Sequence, residues 1–80
     1  MKTYPKIKSV KALRGKKLEV YFESGIKKIY DCSSIIRKKP FSDLKEDALF
    51  KNVHVETGGY GVAWNDNIDL SESEIWLKGK

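Results

Sequence analysis

An 80-residue chain with one cysteine and one histidine can close neither an internal disulfide nor a structural zinc site. Whatever it folds into must be held by side-chain packing alone. A small domain without such staples needs its large apolar residues inside, so Phe22, Phe41, Phe50, Trp64 and Trp76 are expected in the core. With 40% hydrophobic and 34% charged residues, the balance is that of a soluble globular chain and not of a disordered one. No apolar run approaches the ~18 residues of a membrane span. The start, Met1-Lys2-Thr3-Tyr4-Pro5-Lys6, has neither the apolar stretch nor the cleavage site of a secretory signal. The expectation is one small cytoplasmic domain over residues 1–80.

Periodicity then divides the chain. Residues 7–14 are apolar at Ile7, Val10, Ala12 and Leu13, an alternation with one slip, which predicts a strand carrying a bulge. Residues 17–23 alternate cleanly: Leu18, Val20 and Phe22 share one face, and Lys17, Glu19, Tyr21 and Glu23 the other. After a turn at Ser24-Gly25, residues 25–30 form a third β-rich segment, and connections this short require an antiparallel meander. Residues 33–39 suit a short helix that Pro40 stops. Residues 42–51 suit a second, capped by Ser42 or Asp43, with Leu44, Ala48 and Leu49 as its apolar stripe. Residues 53–57 and 60–64 read as a hairpin turned by Gly58-Gly59, and Asn65-Asp66-Asn67 as a turn. The sharpest local signal comes last. Ser71-x-x-Glu74 is a capping box, Leu70 and Ile75 are its hydrophobic staple, and Gly79 stands at the C′ position of a helix over 72–78. The order β-β-β-α-α-β-β-α predicts an α+β fold.

Charge is unevenly spread. Residues 1–40 hold 12 basic and 3 acidic side chains, a balance of +9, and residues 41–80 hold 4 and 8, a balance of −4. The candidates for contact with phosphate or with a partner are Lys16, Lys17, Lys27, Lys28, Arg37, Lys38 and Lys39. Lys27 and Lys28 must point to opposite faces of a strand, so these residues cannot all form one patch. Tyr21, on the polar face beside Lys17, is the one aromatic expected in solvent and a candidate interface anchor.

Signs of catalysis or of a metal are weak. Cys32, His54 and an aspartate could nominally supply a nucleophile, a base and an orienting group, but no spacing brings them together; Cys32 reads as a buried inert thiol. His54 and Glu56 share a strand face and are too few for a zinc site. Gly58-Gly59-Tyr60-Gly61 lacks the strand-to-helix context of a phosphate loop. Asn65, Asp66, Asn67, Asp69 and Glu72 depart from the EF-hand spacing and read as a turn followed by helix-start acids. No catalytic residue, metal site or cofactor is expected.

The ordered features resemble a known family: Pro5 to Leu13, Leu18-x-Val20-x-Phe22-x-x-Gly25, Asp31, Phe41-x-x-Leu44, Phe50-x-x-Val53, Gly61-x-x-Trp64 and Asp69-Leu70. Together, over nearly the whole chain, they resemble the short bacterial proteins catalogued as domain of unknown function 2442. The resemblance implies a small cytoplasmic α+β domain without assigned catalytic residues. Some members resemble toxin–antitoxin cassettes in gene context, and others carry an added helix-turn-helix domain for which a chain ending at Lys80 leaves no room. The expectation is a non-enzymatic protein-interaction module, antitoxin-like or an accessory partner in a two-gene cassette, that binds the product of an adjacent gene. The alternative is a nucleic-acid-binding protein using the basic first half. A homodimer is compatible with either.

Overall fold

A computed structural model describes residues 4–39 and 41–80. The reading of Met1–Thr3 as lacking a signal and of Pro40 as a helix stop lies outside the described residues. Strands β1 (Ile7–Leu13), β2 (Lys17–Phe22) and β3 (Lys27–Asp31) form an antiparallel meander in the order β1-β2-β3. The bulge in β1 falls between Ile7 and Ser9, where the register against β2 slips. After it, Val10–Val20–Lys28 and Ala12–Leu18–Tyr30 line one face of the sheet, while Ser9–Tyr21–Lys27, Lys11–Glu19–Ile29 and Leu13–Lys17–Asp31 line the other. Leu18, Val20 and Phe22 are fully buried, as a clean period of two requires.

The middle of the chain is less helical than expected. Within 33–39 only Ile35–Arg37 closes, as a 3-10 turn whose start is fixed by Cys32 O accepting the N–H groups of Ile35 and Ile36. Two adjacent β-branched residues favour so short a turn over a longer helix. The expected helix over 42–51 is broken at Glu46, whose ψ of 118° is extended. A 3-10 segment, Phe41–Lys45, precedes the break and the one-turn helix α1 (Asp47–Phe50) follows it. Neither Ser42 nor Asp43 caps α1; its N-cap position is Glu46, which makes no side-chain cap bond. The break also rotates the apolar stripe, so Ala48 is exposed while Leu44 and Phe50 are buried.

A second three-stranded antiparallel sheet, ordered β4-β5-β6, holds β4 (His54–Val55), β5 (Gly61–Asn65) and β6 (Ile68–Ser71). Strand β6 was not anticipated. The Asn65–Asn67 turn is a hairpin between β5 and β6, with Asn65 Oδ1 accepting the Asn67 N–H at 2.9 Å. Between β4 and β5 the chain makes a 3-10 turn, Thr57–Gly59. Gly59 sits there at φ 76°, and a Cβ on it would lie 2.7 Å from the Ile7 carbonyl, so only glycine lets the turn close on β1.

Helix α2 (Glu72–Lys78) opens as expected, with Ser71 Oγ accepting the Glu74 N–H at 3.2 Å. Only that half of the capping box forms, because the Glu74 carboxylate accepts the Tyr30 hydroxyl instead, at 2.9 Å. Gly79 is not in the left-handed C′ conformation: its φ is −71°, and its role is closeness, since a Cβ would press on Lys28 and the Ile75 carbonyl. Ile7, Leu18, Val20 and Phe22 from the first sheet meet Val62, Trp64, Ile68 and Leu70 from the second, with Ile75 of α2, in one core. Phe22, Phe50 and Trp64 are buried; Phe41 and Trp76 pack against the core from its margin. The α+β class is therefore the observed one.

Candidate interaction surface

The register decides which of the basic candidates can act together. Lys17, Tyr21 and Lys27 fall on the outer face of the first sheet, the side away from the core. Ser9, Lys11, Leu13, Glu19, Ile29 and Asp31 complete that face, so its charges are mixed and Tyr21, 41% exposed, stands between Ser9 and Lys27 near one end. Lys11 and Ile29 were missed as members, because parity runs along one strand and only the register places residues of β1 and β3 beside Glu19. Asp31 serves the turn after β3: the Ser33 N–H donates to its Oδ1 at 2.9 Å and holds its carboxyl below the usual carboxylate range.

Two of the lysines have structural employment. Lys16, in the left-handed region at φ 59°, ion-pairs with Asp47, donates to the Lys45 carbonyl at 3.1 Å and lies 5.1 Å from the Phe50 ring centre. It fastens the β1–β2 turn to the start of α1 across a cleft of about 450 Å³ lined by Leu13, Gly15 and Phe50. Lys28, on the core-side face, lies over Trp76 at 4.6 Å; Trp76 in turn meets Phe22 edge-on at 5.1 Å. Arg37, Lys38 and Lys39 are exposed at and after the first 3-10 turn.

The residues weighed for chemistry do not converge. Cys32 is fully buried, and loss of solvent pushes its thiol up to about 12, which removes the thiolate a nucleophile would need. His54 is exposed on β4, with Nδ1 3.2 Å from the Asn52 carbonyl. It lines a shallow groove of about 600 Å³ with Glu56, Tyr60, Asp66 and Asp69, floored by Ala63; Cys32 is not among the lining residues. Among the described residues, no three His, Cys, Asp or Glu side chains are placed to hold a metal ion. Tyr60 corrects the expectation that Tyr21 is the one exposed aromatic: it is 59% exposed, with the Lys6 ammonium 4.9 Å from its ring centre. No helix among the described residues is long and apolar enough to cross a membrane.

The first sheet thus presents a small mixed-charge outer face on an α+β frame. The chain belongs to the DUF2442 family, proteins of unknown function, whose family model matches residues 7–80. It is similar to a crystal structure from Nitrosomonas europaea, of the protein NE0471, which is provisionally named as DNA binding. The two are 27% identical with a TM-score of 0.83, and the match covers 100% of this chain and 53% of that one. The chain thus spans about half the length of that protein. No curated protein matches.

Proposed function

We propose that this chain is a non-catalytic protein-interaction module that docks its partner on the outer face of β1-β2-β3. The observation that carries the reading is the composition of that face: Lys11, Lys17 and Lys27 alternate with Glu19 and Asp31 around Tyr21 and Ile29. Interleaved charge with an exposed aromatic suits a complementary protein surface. A polyanion would want an unbroken basic stripe. The finer reading is an accessory or antitoxin-like partner in a bacterial two-gene cassette, acting in the cytoplasm; its motive is the resemblance of some family members to such cassettes in gene context. Size-exclusion chromatography of the chain mixed with the product of the adjacent gene tests this. Co-elution at micromolar concentration is the expected result, and separate elution contradicts it.

The name of the Nitrosomonas protein favours a second reading, contact with nucleic acid. That name belongs to a chain about twice as long and does not say which half binds. On this reading Lys17, Lys27, Arg37, Lys38 and Lys39 would supply phosphate contacts, and duplex binding would weaken steeply with salt as counterions are released. No binding at about 50 mM salt, or a flat salt dependence, would remove the reading.

A further inference from the structure

The outer edge of β3 is already read by a backbone. Ile29 donates its N–H to the Lys80 carbonyl at 3.2 Å and accepts the Lys80 N–H at 2.9 Å. Two residues that exchange both bonds form a hydrogen-bonded antiparallel pair, so this edge accepts an antiparallel backbone with Ile29 at a bonding position, which Lys80 of the same chain fills. Backbone groups alternate sides along a strand, so Lys27 and Asp31 present their N–H and C=O groups on the same edge as Ile29. Among the described residues neither has a backbone partner there, since β3 is the last strand of its sheet.

The sequence of that edge is complementary to itself. Reading Lys27-x-Ile29-x-Asp31 against its own reverse puts Ile29 opposite Ile29 and each Lys27 opposite the Asp31 of the other strand. Those side chains share the outer face of the sheet. Proteins commonly blunt an exposed edge with like charges, which repel a second copy. Here the two ends of the strand carry opposite charges, and directly opposed ions of opposite sign stabilise an antiparallel pair.

We propose that a second copy of this chain docks on the edge of β3, pairing β3 with β3 about a two-fold axis at Ile29. The sheet then runs through both copies, and Ile29 exchanges its bonds with its symmetry mate. Each copy gives up the two bonds to its own Lys80 and the close packing of Gly79 on Lys28. The interface is isologous, so it closes at the dimer. It also joins the two outer faces, each with its Tyr21, into one continuous surface. This inference stands apart from the identity of any other partner.

Charge exchange tests it. Sedimentation equilibrium of the whole chain should show a monomer–dimer equilibrium in the micromolar range. Lys27→Asp sets Asp against Asp31 at two symmetric positions and should weaken dimerisation by about tenfold or more. The double variant Lys27→Asp, Asp31→Lys restores opposite charges and should recover the dimer, with thermal unfolding of each variant confirming the fold. A monomer at every concentration overturns the proposal. So does a dimer that Lys27→Asp leaves unchanged, or one that the double variant fails to recover.

Discussion

Lys16 shows how a surface cation can be committed to the fold. Its backbone takes a positive φ beside that of Gly15, as the tight β1–β2 turn requires, and its side chain is fixed by the ion pair to Asp47 together with the Lys45 carbonyl. Hydrogen bonding to Lys16 and its charge hold the Asp47 carboxyl below the usual carboxylate range. A carboxyl with a lower pKa in the folded than in the unfolded chain contributes stability that is complete above the unfolded value. That stability is lost as pH falls through the folded value. Asp47→Asn should therefore lower the thermal midpoint at about pH 7 and make little difference at about pH 2, as melts of both proteins would show. Equal differences at both pH values would mean that the ion pair does not act. Sequence could not assign Lys16 this role, because its partner lies 31 positions away. Cys32 was legible for the opposite reason: an unpaired cysteine in a small chain has few places to go but the core.

Elements whose signal is local came through, and elements set by tertiary contact did not. Strand β2 alternates without a slip, and the Ser71 cap is fixed by residues three apart, so both could be read directly. Strand β6 was hidden because Leu70 and Ser71 also serve the start of α2; Ile68 and Leu70 alternating with Asp69 and Ser71 was the signal available. The break at Glu46 has no marker in composition and follows from burying both Leu44 and Phe50. Ser71→Ala removes the one capping bond that forms, while Glu74 keeps its bond to Tyr30, so the loss should be about 1 kcal/mol. For a domain this size that is a fall of roughly 4–8 °C in the melting midpoint. A much larger loss would mean that the Tyr30–Glu74 contact depends on the cap.

At the scale of the whole molecule, the +9 and −4 halves of the sequence do not become two opposed poles. Pleating sends Lys27 and Lys28 to different faces, Lys16 is tied to Asp47, and Lys17 stands beside Asp31 across the sheet. What the first half leaves exposed is a face of alternating charge with Tyr21 on it, and that face was only partly legible because register sets its membership. The second half leaves a shallow groove edged by Glu56, Asp66 and Asp69. On the proposed function, the outer face of the first sheet docks a protein partner. The most direct measurement is chromatography of Tyr21→Glu against the wild-type chain, each mixed with the product of the adjacent gene. Tyr21 is exposed, so the substitution should leave thermal unfolding nearly unchanged. The wild-type chain should co-elute with its partner, and Tyr21→Glu, equally folded, should elute alone. Co-elution of both to the same extent would contradict it.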